Sequence, residues 1–334
     1  MDNDCFYYSV HTAGGFHTGF FDAAAYGKTF AVTGGSAELR TRILEAAAER
    51  FDREKINYEI CCSSDGIFAL LCPERKILIA DGETGLRAEN GIDLNDLYNG
   101  LYPRELMRIY TCEKKKKADR CSRFLQAAKS LKSELVRLDS QSIDYAKIVA
   151  FTLRLWKKNG GAMKGNIGRE TKRFVSCITP DGVELNMKAF DSCDRISVVV
   201  DRTGAVSTRI VDRIRRYALG SGYDVTSFVC SLDGKTVEHI IIPELRFGVF
   251  SSEHYHRLLP QKERKIFASR FHTQESEKVK NRLGFTFKAY RSLMNEAFES
   301  MIGACEEEEK INYLFRGISD TKEAVDKIAV QLCD

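Results

Sequence analysis

Two segments carry residue types that handle phosphate, at the spacing such chemistry needs. The first is Val32-Thr33-Gly34-Gly35-Ser36-Ala37-Glu38-Leu39-Arg40-Thr41-Arg42-Ile43, and the second is Val200-Asp201-Arg202-Thr203-Gly204-Ala205-Val206-Ser207-Thr208-Arg209-Ile210. A working phosphate-binding loop reads G-x-x-x-x-G-K-[ST]. Its glycines let backbone N–H groups curl around the phosphates, its lysine reaches the β and γ oxygens, and its hydroxyl binds magnesium. In the first segment Gly34 keeps the opening position and Thr41 the hydroxyl, while Leu39 stands at the closing glycine and Arg40 at the lysine. A branched side chain where the backbone must approach phosphate obstructs the cradle. Arginine keeps the charge, but its planar fork does not replace a compact ammonium. Asp81 ends an Ile-Leu-Ile-Ala run, as the acidic residue that supports a magnesium ion or its water shell does. The expected phosphate contacts are therefore Gly34, Gly35, Arg40 and Thr41, with Thr41 and Asp81 toward a metal. ATP and Mg²⁺ are the cofactors this first loop would take. Residual binding and an inert loop on an inherited fold both remain open.

The second segment departs further. Asp201 occupies the opening position and brings negative charge toward phosphate. Val206 stands at the closing glycine, Ser207 at the lysine, and Ser251 where Asp81 stands in the first half. Gly204 and Thr208 are the residues that still suit the task, so ordinary ATP chemistry is not expected here. Other groupings carry less. His239, His254 and His256 with Glu253 fall near one strand, but no third spaced ligand follows from the sequence, and they read as loop histidines. His11 and His17 flank Gly14-Gly15 and read as incidental to a turn. Cys62 and Cys230 recur at strand ends, where a reactive thiol or, more simply, a buried core cysteine fits.

Both loops follow a β-branched run and open a helix, the strand–loop–helix context that phosphate binding requires. The likeness between the halves extends beyond them. Cys62-Ser63-Ser64-Asp65-Gly66 answers to Cys230-Ser231-Leu232-Asp233-Gly234, Pro73-Glu74 to Pro243-Glu244, and Phe21-Asp22 to Phe190-Asp191. A repeat this long means two copies of one domain rather than a solenoid. The chain of 334 residues divides accordingly, with a boundary in the glycine-bearing stretch Lys157–Gly165 after the lone Trp156. The expected domains are 1–160 and 161–334, each a three-layer α/β domain with a parallel sheet and a helical tail.

Acidic and basic residues nearly balance, for a net charge of +4, which gives no support to a broad nucleic-acid surface. The runs Lys114–Lys117 and Glu306–Glu309 read as solvated helix faces or loops. Eleven cysteines without a CxxC pair suit neither a disulfide framework nor a zinc ribbon. No signal peptide and no membrane-length apolar run is visible, and a reducing cytoplasm is the expected setting.

Taken together these residues resemble a family of bacterial tandem P-loop ATPase-like proteins, largely of unknown function. The resemblance rests on Gly15-Phe16, Thr179-Pro180-Asp181-Gly182, the Cys62–Asp65 and Cys230–Asp233 segments, Asp81-Gly82 and His239–Leu245, and spans most of the chain. It implies two tandem P-loop NTPase-like domains. The departures fall on the functional positions: neither loop keeps the Gly-Lys pair, and Gly82-Glu83-Thr84-Gly85 replaces the family's Gly-Thr-Ala-Pro-His-type segment. The expectation is a nucleotide-binding protein with degenerate sites, its hydrolysis weak or lost. The alternative is a non-catalytic scaffold whose helical tails meet partners.

Overall fold

Lys28-Thr29-Phe30-Ala31-Val32-Thr33 and Arg195-Ile196-Ser197-Val198-Val199-Val200 are the most β-prone stretches upstream of each loop, and each forms an inner strand of its sheet. The structure, a computed structural model, describes residues 5–7, 9–12, 15–18, 26–63, 66–84, 88–95, 103–255, 264–273, 277–316 and 322–333. Phe21-Asp22, Asp65, Gly85 and His256 of the sequence reading lie outside the described residues, as do the side chains of His11 and His17.

The first run of elements is β1 (Cys5–Tyr7), β2 (Ser9–Thr12), β3 (Gly15–Thr18), β4 (Lys28–Thr33), α1 (Ala37–Arg53), β5 (Glu59–Ser63), β6 (Gly66–Cys72), β7 (Ile77–Asp81), β8 (Asn90–Asp93), α2 (Arg104–Asp139) and α3 (Tyr145–Asn159). The second is β9 (Glu170–Arg173), β10 (Ser176–Thr179), β11 (Gly182–Leu185), β12 (Arg195–Val200), α4 (Ser207–Gly220), β13 (Val225–Val229), β14 (Val237–Ile242), β15 (Phe247–Ser252), β16 (Arg264–Phe267), α5 (Glu277–Phe315) and α6 (Lys322–Cys333). The sheets repeat one order, β1-β5-β6-β7-β4-β8 and β9-β13-β14-β15-β12-β16.

The fold is mixed α/β, and the sheets are mixed too, not parallel throughout as expected. β6 runs antiparallel to β5 and β7, and β14 to β13 and β15. The cause is the length of the connections: a few residues between these strands cannot make the crossover that parallel neighbours need. The loop-bearing strands do have parallel neighbours on both sides, β7 and β8 for β4, and β15 and β16 for β12.

Contacts divide the chain into two units, one of Met1–His11, Gly15–Ser122 and Ala297–Asp334, the other of Thr12–Gly14 and Arg123–Glu296. These units do not follow the expected 160/161 boundary, because the helical tails are exchanged. In the first unit Ile43, Leu44, Ala47 and Phe51 of α1 share a core with Ile328, Ala329 and Leu332 of α6. In the second, Ile210, Val211 and Ile214 of α4 share a core with Ile148, Phe151 and Leu155 of α3. Each fully buried side chain of this size contributes about 1.5–3 kcal/mol, so the borrowed helices are integral to the cores they cover.

Candidate functional site

Helix α1 starts where Ser36 accepts the Leu39 N–H at 3.2 Å, a side-chain cap for the first turn. The preceding turn needs positive φ at Gly34 (71°) and Gly35 (60°). A side chain at Gly34 would also collide with the side chains of Asp93 and Asn95.

Within this loop the structure brings Gly34, Gly35, Arg40 and Asp81 together, but around the arginine. The Arg40 side chain is 6% exposed and its Nε donates to Asp81 Oδ2 at 2.8 Å. Nη1 donates to the Gly34 carbonyl at 3.1 Å, and Nη2 to Glu83 Oε1 at 3.0 Å. The loop's N–H groups have acceptors as well. Gly35 donates to Asn95 Oδ1 at 3.2 Å, Ala37 to Glu308 Oε1 at 3.3 Å and Glu38 to Asn312 Oδ1 at 3.4 Å. Glu308 thus stands as a carboxylate at the start of α1, the place that favours an anion. Thr41 lies half-buried one residue beyond Arg40 in α1.

Lys114 of α2 ties this network together, at 2.6 Å from Glu308 Oε2 and 3.3 Å from Glu83 Oε1. Burial disfavours the Glu83 charge, but Lys114 and Arg40 outweigh it and hold the carboxyl below its usual range. Burial also pushes the Asp81 carboxyl up, against the pull of Arg40. One turn along, Lys117 pairs with Glu307 at 2.8 Å. The two charge runs are therefore not simply solvated faces, which corrects the sequence reading. Lys114 and Lys117 share one side of α2 and meet Glu308 and Glu307 of α5. The (i, i+3) spacing inside Lys114–Lys117 was the available signal.

Strand register makes the two loops comparable residue by residue. Val32 pairs with Asp81 and Val199 with Ser251, so Arg40 corresponds to Ser207 and Glu83 to Glu253. Where the first unit has the Arg40–Asp81 ion pair, the second has a Ser207–Ser251 hydroxyl pair at 2.9 Å. Asp201, 2% exposed, points back into its own loop. Its Oδ2 accepts the N–H groups of Val206 and Ser207 at 2.7 and 2.8 Å, and its Oδ1 that of Thr203 at 3.1 Å. Gly204 has φ +86°, and Thr208 Oγ1 donates to its carbonyl at 2.7 Å. Thr203 also donates to Asp139 at the end of α2, whose other carboxylate oxygen lies 2.9 Å from His272 Nε2.

Next to this loop lies a buried charge cluster that sequence reasoning missed. Lys132 Nζ is 2.9 Å from Glu238 Oε1, 2.9 Å from Glu253 Oε2 and 3.8 Å from Cys230 Sγ. Burial raises the Glu253 carboxyl to about 7, opposed by Lys132 and assisted by Glu238. Burial likewise pushes the Cys230 thiol up, so it stays protonated and is no activated nucleophile. Cys62 is half-buried near the end of β5.

His239 is a core residue whose Nδ1 accepts the Ser251 N–H at 3.1 Å, and His254 packs edge-on against Phe287. Among the described residues no three His, Cys, Asp or Glu side chains stand close enough to hold a metal ion. No helix among them is long and apolar enough to cross a membrane. Compared with known proteins, the chain matches no protein-family model, no curated protein and no solved structure.

Proposed function

We propose that this protein is a pseudo-NTPase: two halves of P-loop NTPase type whose phosphate cradles are filled by the protein's own side chains. Hydrolysis is lost on this reading, and the protein acts as a scaffold. The observation that carries it is the pairing of the first loop, where Arg40 is engaged by Asp81 and three loop N–H groups already have side-chain acceptors. Phosphoryl transfer depends on positioned cations and N–H groups aimed at the γ-phosphate. Here those groups face inward.

Partners would meet the long helices, where Leu106, Ile109, Phe285 and Tyr313 are exposed. On this reading the protein works in a reducing, cytoplasmic setting, where its described cysteines stay thiols.

A thermal-shift titration with ATP, GTP and ADP, with and without magnesium, on wild type and Thr41→Ala tests this reading. Nucleotide present at a hundred times its Kd stabilises a protein by about 2.7 kcal/mol. The expected result is no saturable shift at millimolar nucleotide. Saturable stabilisation that disappears in Thr41→Ala would overturn the proposal and restore the first loop as a nucleotide site.

A further inference from the structure

In the unit built mainly of residues 123–296, the glycine-bearing stretch after Trp156 is a loop, residues 160–168, laid along the carboxyl-terminal end of α4. Its backbone is tied down. The Lys164 N–H donates to the Ser221 carbonyl at 3.1 Å, and the Gly168 N–H to the Leu219 carbonyl at 2.9 Å. The Tyr223 hydroxyl donates to the Ala162 carbonyl at 3.0 Å.

The side chains of this loop are arranged inside out. The polar ones fold back onto the protein: Lys164 pairs with Glu244 and lies 4.4 Å over the Tyr223 ring, and Asn166 Oδ1 lies against Gly222. The apolar ones face solvent, with Met163 78% and Ile167 82% exposed. A single exposed apolar residue is ordinary. Two held outward on a pinned backbone, with the polar side chains between them turned in, make a surface that gains by being covered.

Charge indicates what covers it. Residues 154–173 carry seven lysines and arginines against one acid, Glu170, which is taken by Arg215. Lys164 and Arg169 are matched by Glu244 and Asp224. Arg154, Lys157, Lys158 and Lys172 have no acidic partner among the described residues, and all are exposed. The first three lie with exposed Leu153 on the outer side of the last turns of α3, away from buried Leu155 and Asn159. Apolar tips flanked by unpaired cations match a bilayer, which is negative at its surface and hydrocarbon beneath. A single-stranded nucleic acid would match the charge but stacks on aromatic rings, and the loop has none.

We propose that this face docks on an anionic lipid surface, with Met163 and Ile167 entering the headgroup–acyl boundary and the α3 cations meeting the lipid charges. The face lies at the opposite end of α4 from the second phosphate loop. It does not depend on whether either loop takes nucleotide.

The test is sedimentation of the full chain with vesicles of phosphatidylcholine, with and without phosphatidylserine. Trp156, the only tryptophan, is half-buried against Gly160 and Tyr223 and therefore reports on this face. Binding to the phosphatidylserine vesicles is expected, with quenching of Trp156 when their acyl chains are brominated. Replacing both exposed apolar residues, Met163→Asn with Ile167→Asn, is expected to abolish the quenching and leave the melting temperature unchanged. Lys157→Ser with Lys158→Ser is expected to weaken binding by about tenfold or more. Absence of binding, equal binding to vesicles of phosphatidylcholine alone, no quenching of Trp156, or unchanged affinity in either double variant would each overturn the proposal. Tighter binding of polyglutamate or of a single-stranded oligonucleotide than of the vesicles would assign the face to a protein or a nucleic acid and overturn it too.

Discussion

Arg40 is held by four oxygen-bearing neighbours, Asp81, Glu83, Gly34 and Gly35, rather than left facing outward. Its removal would leave the buried Asp81 carboxyl without its counter-charge, with the Glu83 N–H as its remaining donor. Arg40→Ala is therefore expected to destabilise the fold by about 3–5 kcal/mol, the cost of breaking a buried pair from one side, read from chemical denaturation. Any nucleotide turnover is expected to stay at background in wild type and variant alike. Glu253 behaves differently because its carboxyl is raised to about 7 in the folded chain. The folded state then holds a proton that the unfolded state releases near pH 4.5, so stability falls as pH rises from about 4.5 through 7. Glu253→Gln lacks this titration. Melting temperatures across that window should show the variant gaining on wild type as pH rises, and a gap that does not change with pH would refute the assignment.

At the scale of elements, the salient feature is the pairing of α2 with α5 in the first unit through Lys114–Glu308 and Lys117–Glu307. Reversing one charge, as in Lys117→Glu or Glu307→Lys, places like charges together. The double reversal restores the pair. A double-mutant cycle is expected to give a coupling of about 0.5–1 kcal/mol, since the pair is only partly buried, and the coupling should shrink with added salt. This pairing also marks what could be read in the chain. The two strand–turn–helix segments, β4 to α1 and β12 to α4, are local patterns, and they were legible. The acceptors that close the first loop were not: Glu308 and Asn312 lie 271 and 274 residues from the N–H groups they accept. The antiparallel β5–β6–β7 meander was missed for another reason, because alternation of strand and helix was given more weight than the short links between strands.

For the whole molecule, the exchange of helical tails decides what can fold alone. A fragment of residues 1–160 lacks the α6 face that covers Ile43, Ala47 and Phe51, and a fragment of residues 161–334 lacks the α3 face that covers Ile210 and Ile214. Expressed singly, each is expected to be insoluble or to bind a hydrophobic dye, whereas co-expression is expected to yield a soluble complex on size-exclusion chromatography. Two separately soluble, cooperatively melting fragments would count against the exchange. The same feature sets a schedule during synthesis. The first sheet is complete once β8 has been made, yet the helix that seals α1 lies at residues 322–333. At about 5–20 residues per second the ribosome needs roughly 10–50 s to bridge that gap. Throughout that interval the nascent chain presents an unsealed apolar face, which makes it a client for chaperones and exposes any prematurely terminated product to proteases.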